Sequence, residues 1–174
     1  MRRLTVVLMM LLMIAGCLAP AESDFVKGDS GWNDTFVQGT VRNIVDGDTF
    51  DVIVMRTDGT AYEKRVRPIL IDAPEICHQH SPESCAPEPF GPEATDFAEE
   101  RLLGETVYLE EDQNPLDPFD RYLYYVYTED GAMFQEELLA QGLAEVAVYD
   151  DIRYMDRFFE IQEEAQRLGM GMWD

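Results

Sequence analysis

The chain has 174 residues, 13 Lys and Arg against 35 Asp and Glu, and a formal net charge of −22. Its length accommodates one domain of about 100–150 residues plus flanking segments, and a 46% hydrophobic, 11% aromatic composition supplies a core and excludes general disorder. The charge excludes a protein that grips nucleic acid through a broadly basic surface, although a small basic pocket inside an acidic shell stays open. At the N-terminus, Met1-Arg2-Arg3 is a basic leader to the nearly unbroken apolar run Leu4 to Ala15. That run is shorter than the about 20 residues a spanning helix needs, so residues 1–16 are expected to be a signal peptide. It ends Ile14-Ala15-Gly16-Cys17, which resembles a lipobox. Cys17 is therefore a lipidation candidate that would anchor the mature chain to a membrane. A plain signal peptide, or an uncleaved short anchor with an incidental Cys17, is the alternative. Residues 17–36 are rich in Pro, Gly, Ser and Asp without periodicity and read as a tether, which leaves 37–174 as the folded domain, exported and either surface-anchored or secreted.

Gly39 to Val45 reads as a strand, followed by an Asp46-Gly47 hairpin signal and a second strand in which Phe50, Val52 and Val54 alternate. Thr57-Asp58-Gly59-Thr60 is a second turn, and Tyr62 to Ile71 a third strand, where Pro68 removes a ladder donor and implies an edge or a bulge. Next comes a Pro-rich loop, ICHQHSPESCAPEPFGP, carrying Cys77 and Cys85 and the chain's two histidines, His78 and His80. Export favours a Cys77–Cys85 disulfide. A metal site on Cys77, His78, His80 and Cys85, or free thiols, are the alternatives. Gly91-Pro92-Glu93 opens a helix with Ala94, Phe97, Ala98 and Leu102 on its apolar side. Glu105 to Glu110 and Tyr122 to Thr128 read as strands. Phe134 to Ala140 reads as a short helix closed by Gly142. The last helix carries Tyr154, Phe158, Ile161, Ala165 and Leu168 as one stripe and stops at Gly169. No repeat and no second domain are visible. Five strands and three helices make an α+β domain, and a closed five-stranded sheet of OB type is the economical way to avoid exposed edges.

Lys27 and Lys64 are the lysines, and Arg supplies the other eleven basic residues. Abundant acid with scarce lysine resembles the composition of salt-adapted archaeal proteins, whose self-repulsion is screened where the Debye length falls to roughly 3 Å at 1 M salt. An acidic but otherwise ordinary secreted protein is the alternative.

The chemistry lies in acids near strand ends. Asp46 and Asp48 flank a sharp turn, and Asp72-Ala73-Pro74-Glu75 follows the third strand. Carboxylates clustered without a convergent Lys repel one another unless a cation sits between them, and a hard cation takes carboxylate, carbonyl and water oxygens. Solvated strand-end acids are the plainer reading of either motif alone. Arg67 precedes Asp72 by five residues, and Arg121 closes Asp117-Pro118-Phe119-Asp120-Arg121. Two guanidinium forks beside a cation suit a phosphate. Surface salt bridges are the alternative for each, and strict alternation places Arg67 and Asp72 on opposite faces unless a bulge at Pro68 or the strand's end intervenes.

In order, V-D-G-D-T (45–49), R-x4-D-A-P-E (67–75), G-P-E-A (91–94), D-x3-R followed by L-x-Y-V-Y (117–127) and G-L-A (142–144) resemble the staphylococcal nuclease (thermonuclease) family over residues 37–174. The resemblance implies an OB barrel with three helices, working as a calcium-dependent endonuclease on DNA and RNA. Cleavage would fall at the 5′ P–O bond and leave 3′-phosphates. It implies one Ca²⁺ held by Asp48, Asp72 and the Ala73 carbonyl, with Glu75 acting on the attacking water and Arg67 and Arg121 clamping the phosphate. Asp46, Thr49 and Asp117 stand around them. No protein partner is implied, and a monomer is expected. Four departures stand out: Phe119 where the family usually has Tyr, Asp120 where it usually has Gly, Pro68 after Arg67, and a lengthened loop from Cys77 to Pro92. A non-catalytic barrel that binds nucleic acid or protein, or a calcium-binding surface module, is the alternative. The presence of all five of Asp48, Arg67, Asp72, Glu75 and Arg121 favours the enzyme.

Overall fold

The computed structural model describes residues 36–149 and 153–174. The expected signal peptide, Cys17 and nearly all of the expected tether lie outside the described residues. Five strands close into a barrel: β1 (Phe36–Asp46), β2 (Thr49–Met55), β3 (Ala61–Pro68), β5 (Thr106–Glu110) and β6 (Tyr122–Thr128), in the order β1-β2-β3-β6-β5. All neighbours are antiparallel except β3 and β6, which run parallel where Val66 faces Tyr122. The strands β4 (Ile71–Asp72) and β7 (Glu145–Val146) form a separate pair. Three helices complete the domain: α1 (Gly91–Leu102), α2 (Phe134–Ala140) and α3 (Met155–Leu168). The expected α+β class, OB-type five-stranded barrel with three helices, is what forms.

The alternating apolar residues explain the closure. Phe50, Val52 and Val54 of β2, Val66 of β3, Val107 and Leu109 of β5 and Val126 of β6 are all buried in the barrel. The opposite face of β6 supports α3: the Tyr125 ring packs edge-on against Tyr154 at 4.6 Å and Phe158 at 6.3 Å between centroids. In α1 the small residues Ala94 and Ala98, with Leu102, are buried, so the helix lies close to the sheet. The turn after α2 is a Schellman closure, in which the N–H of Gly142 donates to Leu139 O and that of Leu143 to Leu138 O. Gly142 has φ of 64°, and a Cβ there would stand 2.1 Å from the carbonyl oxygen of Met170, so the position demands glycine both for its backbone angle and for this approach.

Gln135 is fully buried on α2 and completes the ladder of β6 beyond the end of β3. Its Oε1 accepts from the N–H of Val126 at 3.1 Å, and its Nε2 donates to Tyr124 O at 3.0 Å. Gln135→Leu keeps the volume but orphans the Val126 N–H. It should cost about 1–3 kcal/mol in a urea-unfolding measurement, the range for an unsatisfied buried donor.

Three expectations need correction. The third strand does not run to Ile71. It ends at Pro68, turns through Ile69 and Leu70, and resumes as the two-residue β4, because Leu70 takes a left-handed φ of 69°. Pro68 is on neither an edge strand nor a bulge: β3 lies inside the closed barrel, but Pro68 comes after its last pair with β2, Phe50 with Val66, so it is unpaired on that side and pairs only with Tyr124 of β6. Leu168 is 57% exposed, so the buried stripe of α3 ends one turn early, at Ala165. Lys64, the single lysine among the described residues, is buried in the barrel, with its ammonium 4.2 Å from the Tyr122 ring centroid and 4.8 Å from that of Tyr124.

Candidate active site

The site is assembled at the β1–β2 hairpin, the β3–β4 turn and the loop before β6. Asp46 pairs with Thr49 across a two-residue turn, Gly47-Asp48. The Asp48 N–H donates to Asp46 Oδ1 at 3.1 Å, which fixes both acids within the turn. Gly47 is needed for proximity: a Cβ there would lie 2.7 Å from that of Ala94 and 3.0 Å from that of Ala73. That closeness brings Asp48 Oδ2 within 2.6 Å of the Ala73 N–H, which donates to it. The hairpin and the Asp72-Ala73 corner are thereby joined through one buried carboxylate.

Arg67 enters this corner from the end of β3. Its guanidinium pairs with the Asp48 carboxylate, and its Nη2 donates to Asp72 Oδ1 at 2.5 Å and to Ile71 O at 3.1 Å. The turn at Ile69-Leu70 makes this possible, because it folds the chain back so that Arg67 and Asp72 meet although simple alternation separates them. Asp72 remains half exposed while Arg67 and Asp48 are buried.

Arg121 approaches from the other wall, held by Asp117. The Asp117 carboxylate accepts from Arg121 Nε at 2.6 Å and from the backbone N–H groups of Phe119 and Arg121 at 2.8 and 2.9 Å. Burial pushes this carboxyl up, but those donations outweigh it and hold it below the usual carboxylate range. Arg121 Nη1 lies 3.5 Å from Thr49 Oγ1, which in turn is 3.3 Å from Asp48. Asp120 adopts a φ of 62°, so it keeps the left-handed turn that glycine would ordinarily supply, a conformation Asp tolerates better than most residues. Arg67 and Arg121 both line a cleft of about 660 Å³, together with Asp117, Phe119, Leu123 and Tyr149. Phe119 is 79% exposed, with the Arg121 guanidinium 5.5 Å from its ring centroid.

Glu75 follows the Asp72-Ala73 corner and lies beside Asp46. Its N–H donates to Glu88 Oε2 at 3.0 Å and its carbonyl accepts from the Glu88 N–H at 2.9 Å, so the long loop returns to the residue it left. Burial pushes the Glu75 carboxyl up, the neighbouring Asp46 and Asp72 charges push the same way, and Arg67 and His78 oppose them; the net direction is upward. Cys77 and Cys85 are disulfide-bonded, so the four-ligand Cys-His-His-Cys reading does not hold: the sulfurs are engaged with each other. His78 instead faces the acids, with its Nε2 3.7 Å from Asp46 Oδ2.

The donor set is rich in carboxylate oxygen and fits a hard divalent cation. The expected ligands Asp48 and Asp72 meet at one guanidinium, with Ala73 bound through its N–H to Asp48. Among the described residues, the group whose ligand atoms lie within 4.8 Å of one another is a different one, Asp46, Glu75 and His78. His78 was not singled out by the sequence as a companion of Asp46. Its only signal there was its place, three residues after Glu75 in the crosslinked loop.

A family model described as staphylococcal nuclease homologue matches residues 65–174. The thermonuclease of Staphylococcus intermedius is 32% identical over 156 residues, covering 86% of this chain and 87% of that protein. The thermonuclease of Staphylococcus hyicus is 34% identical over 134 residues, 76% of this chain and 73% of that protein. Endonuclease YncB of Bacillus subtilis (strain 168) is 36% identical over 140 residues, 79% of this chain and 62% of that protein. A closed OB barrel with an acid-and-arginine cleft, together with relatives of these names, defines a hydrolase of the nuclease class. More narrowly, the chain belongs to the staphylococcal nuclease family.

Proposed function

We propose that the chain is a calcium-dependent endonuclease that cleaves DNA and RNA at the 5′ P–O bond and leaves 3′-phosphates. The observation that carries this reading is the opening of Arg67 and Arg121 onto one cleft, with the Asp48 and Asp72 carboxylates paired to Arg67 behind it and Glu75 near enough to feel the Arg67 charge. When bound by Asp48, Asp72 and the Ala73 carbonyl, a Ca²⁺ ion would neutralise charge developing on the phosphate. The chain's own groups do the rest. Glu75 accepts a proton from the attacking water, and its upward-shifted carboxyl makes it a better base near neutrality than an ordinary carboxylate. Arg121, held in orientation by Asp117, presents its terminal nitrogens to the non-bridging oxygens, and Arg67, whose own terminal nitrogens are held by Asp48, Asp72 and the Ile71 carbonyl, adds positive charge at the cleft wall. The water oxygen bonds to phosphorus, the bond from phosphorus to the 5′ oxygen breaks, that oxygen takes a proton from solvent to become a 5′-hydroxyl, and the phosphate stays on the 3′ side. Phe119 and Tyr149 offer exposed rings at the cleft on which bases of any sequence can stack.

The test is plasmid digestion with Ca²⁺ present or removed by EDTA. Nicked and linear products are expected with Ca²⁺ and none with EDTA, with 3′-phosphate ends that resist polymerase extension until a phosphatase removes them. Extendable 3′-hydroxyl ends would overturn the assigned bond. Export and a lipid anchor at Cys17 belong to the same proposal: radiolabelled palmitate should enter the wild-type chain and be absent from Cys17→Ser.

A further inference from the structure

The loop from Cys77 to Cys85 places an imidazole against Asp46 at the β1–β2 turn. His78 stands next to the crosslinked Cys77. Its N–H donates to Ser81 Oγ at 3.0 Å, and its carbonyl accepts from the Ser81 N–H at 2.9 Å. The segment is tied again where Glu75 and Glu88 exchange backbone and side-chain hydrogen bonds. The ring is thereby held over Asp46, with Nε2 3.7 Å from Oδ2, while Oδ1 of the same carboxylate is occupied by the Asp48 N–H. Glu75 supplies the third donor, and all three ligand atoms lie within 4.8 Å of one another. A tetrahedral ion about 2.1 Å from each ligand sets its donors about 3.4 Å apart, so modest side-chain rotation closes this set.

We infer that Asp46, Glu75 and His78 form a second cation site, beside the Asp48 and Asp72 carboxylates, selective for a borderline transition ion such as Co²⁺ or Zn²⁺. The chemistry follows from the donors. Carboxylates and carbonyls suit Ca²⁺ and Mg²⁺, whereas an imidazole adds affinity for first-row transition ions and little for hard ones. The inference rests on the reading of the cleft as a cation site and adds to it which ions the cleft accepts. The disulfide holds the loop that carries the imidazole.

The experiment is titration of the full chain with Co²⁺ and, separately, with Ca²⁺ by calorimetry, with proton NMR of the two histidine rings during the Co²⁺ titration. His78→Gln should lower Co²⁺ affinity by about tenfold or more and leave Ca²⁺ affinity nearly unchanged. His80→Gln should leave both nearly unchanged, and the His78 ring signals should be the ones shifted by the paramagnetic ion. Equal Co²⁺ affinity in wild type and His78→Gln overturns the inference, as does a parallel fall in Ca²⁺ affinity or a loss confined to His80→Gln. Cleavage assays separate the two proposals. Ca²⁺-supported cleavage without a His78 effect on Co²⁺ sinks the second site alone. His78-dependent Co²⁺ binding without cleavage under Ca²⁺ sinks the calcium nuclease alone.

Discussion

Glu75→Gln should lower the rate of phosphodiester cleavage by about 10²–10⁴-fold, the range for loss of a positioned general base, with Ca²⁺ affinity measured by calorimetry changed far less. The amide occupies the same space as the carboxylate but cannot accept the water's proton. Glu75 is anchored through its backbone, by the pair of hydrogen bonds with Glu88, so the substitution leaves the loop in place. The direction of the Glu75 pKa adds a second readout. Burial, with the Asp46 and Asp72 charges, raises it above the usual carboxylate range, and only the ionised form can act as a base. A bound Ca²⁺ pulls in the opposite direction, so the expected readout is the limb itself: the rate should fall as acid protonates Glu75, and Glu75→Gln should abolish that acid limb along with most of the rate. A variant with near wild-type turnover and the same limb would assign the base to another group.

Most of the barrel could be read from residue order because its signals are local. Phe50, Val52 and Val54 alternate into the core, Gly59 takes a positive φ in the second turn, and Gly169 ends α3 in the left-handed conformation. The Asp46-Gly47 signal located its turn for a different reason from the usual one. Gly47 does not need a positive φ; it needs to have no side chain between Ala73 and Ala94, a tertiary demand that no local pattern displays. The same distinction governs the cleft. Asp117 and Arg121 are four residues apart and meet within one turn, so their pairing is visible in the sequence. Arg67 and Asp72 meet only because Leu70 turns left-handed, and leucine gives no advance notice of that conformation. His78 reaches Asp46 across 32 positions through a crosslinked loop, a contact that depends on where the barrel ends. Lys64 shows the limit of patterning from the opposite side. A lysine at an inward position reads as an interruption of the strand, yet its ammonium is surrounded by tyrosine rings.

Arg121→Lys should cost nearly as much as Arg121→Ala, about 10²–10³-fold in kcat, although it preserves the charge. The reason is the division of labour within one side chain. Nε is committed to Asp117 Oδ2 at 2.6 Å, and the backbone N–H of the same residue to Oδ1 at 2.9 Å, which leaves the terminal nitrogens to face the cleft. Lysine has one ammonium. If it reaches Asp117 it abandons the phosphate, and if it reaches the phosphate it loses the partner that orients it. Arg121 is the better of the two arginines for this test. Arg67 is buried between Asp48 and Asp72, so its replacement leaves carboxylates facing one another and confounds catalysis with stability. Arg121 is partly exposed with a single acidic partner, and that partner, Asp117, keeps the backbone N–H donors of Phe119 and residue 121 when the side chain is lost, so the urea-unfolding midpoint should fall less than it does for replacement of Arg67. Single-turnover cleavage of a short oligonucleotide would separate the effects, with the chemical step slowed in both variants and substrate affinity better retained by Lys than by Ala. A lysine variant cleaving at the wild-type rate would remove the fork from the mechanism and leave Arg121 as a source of positive charge alone.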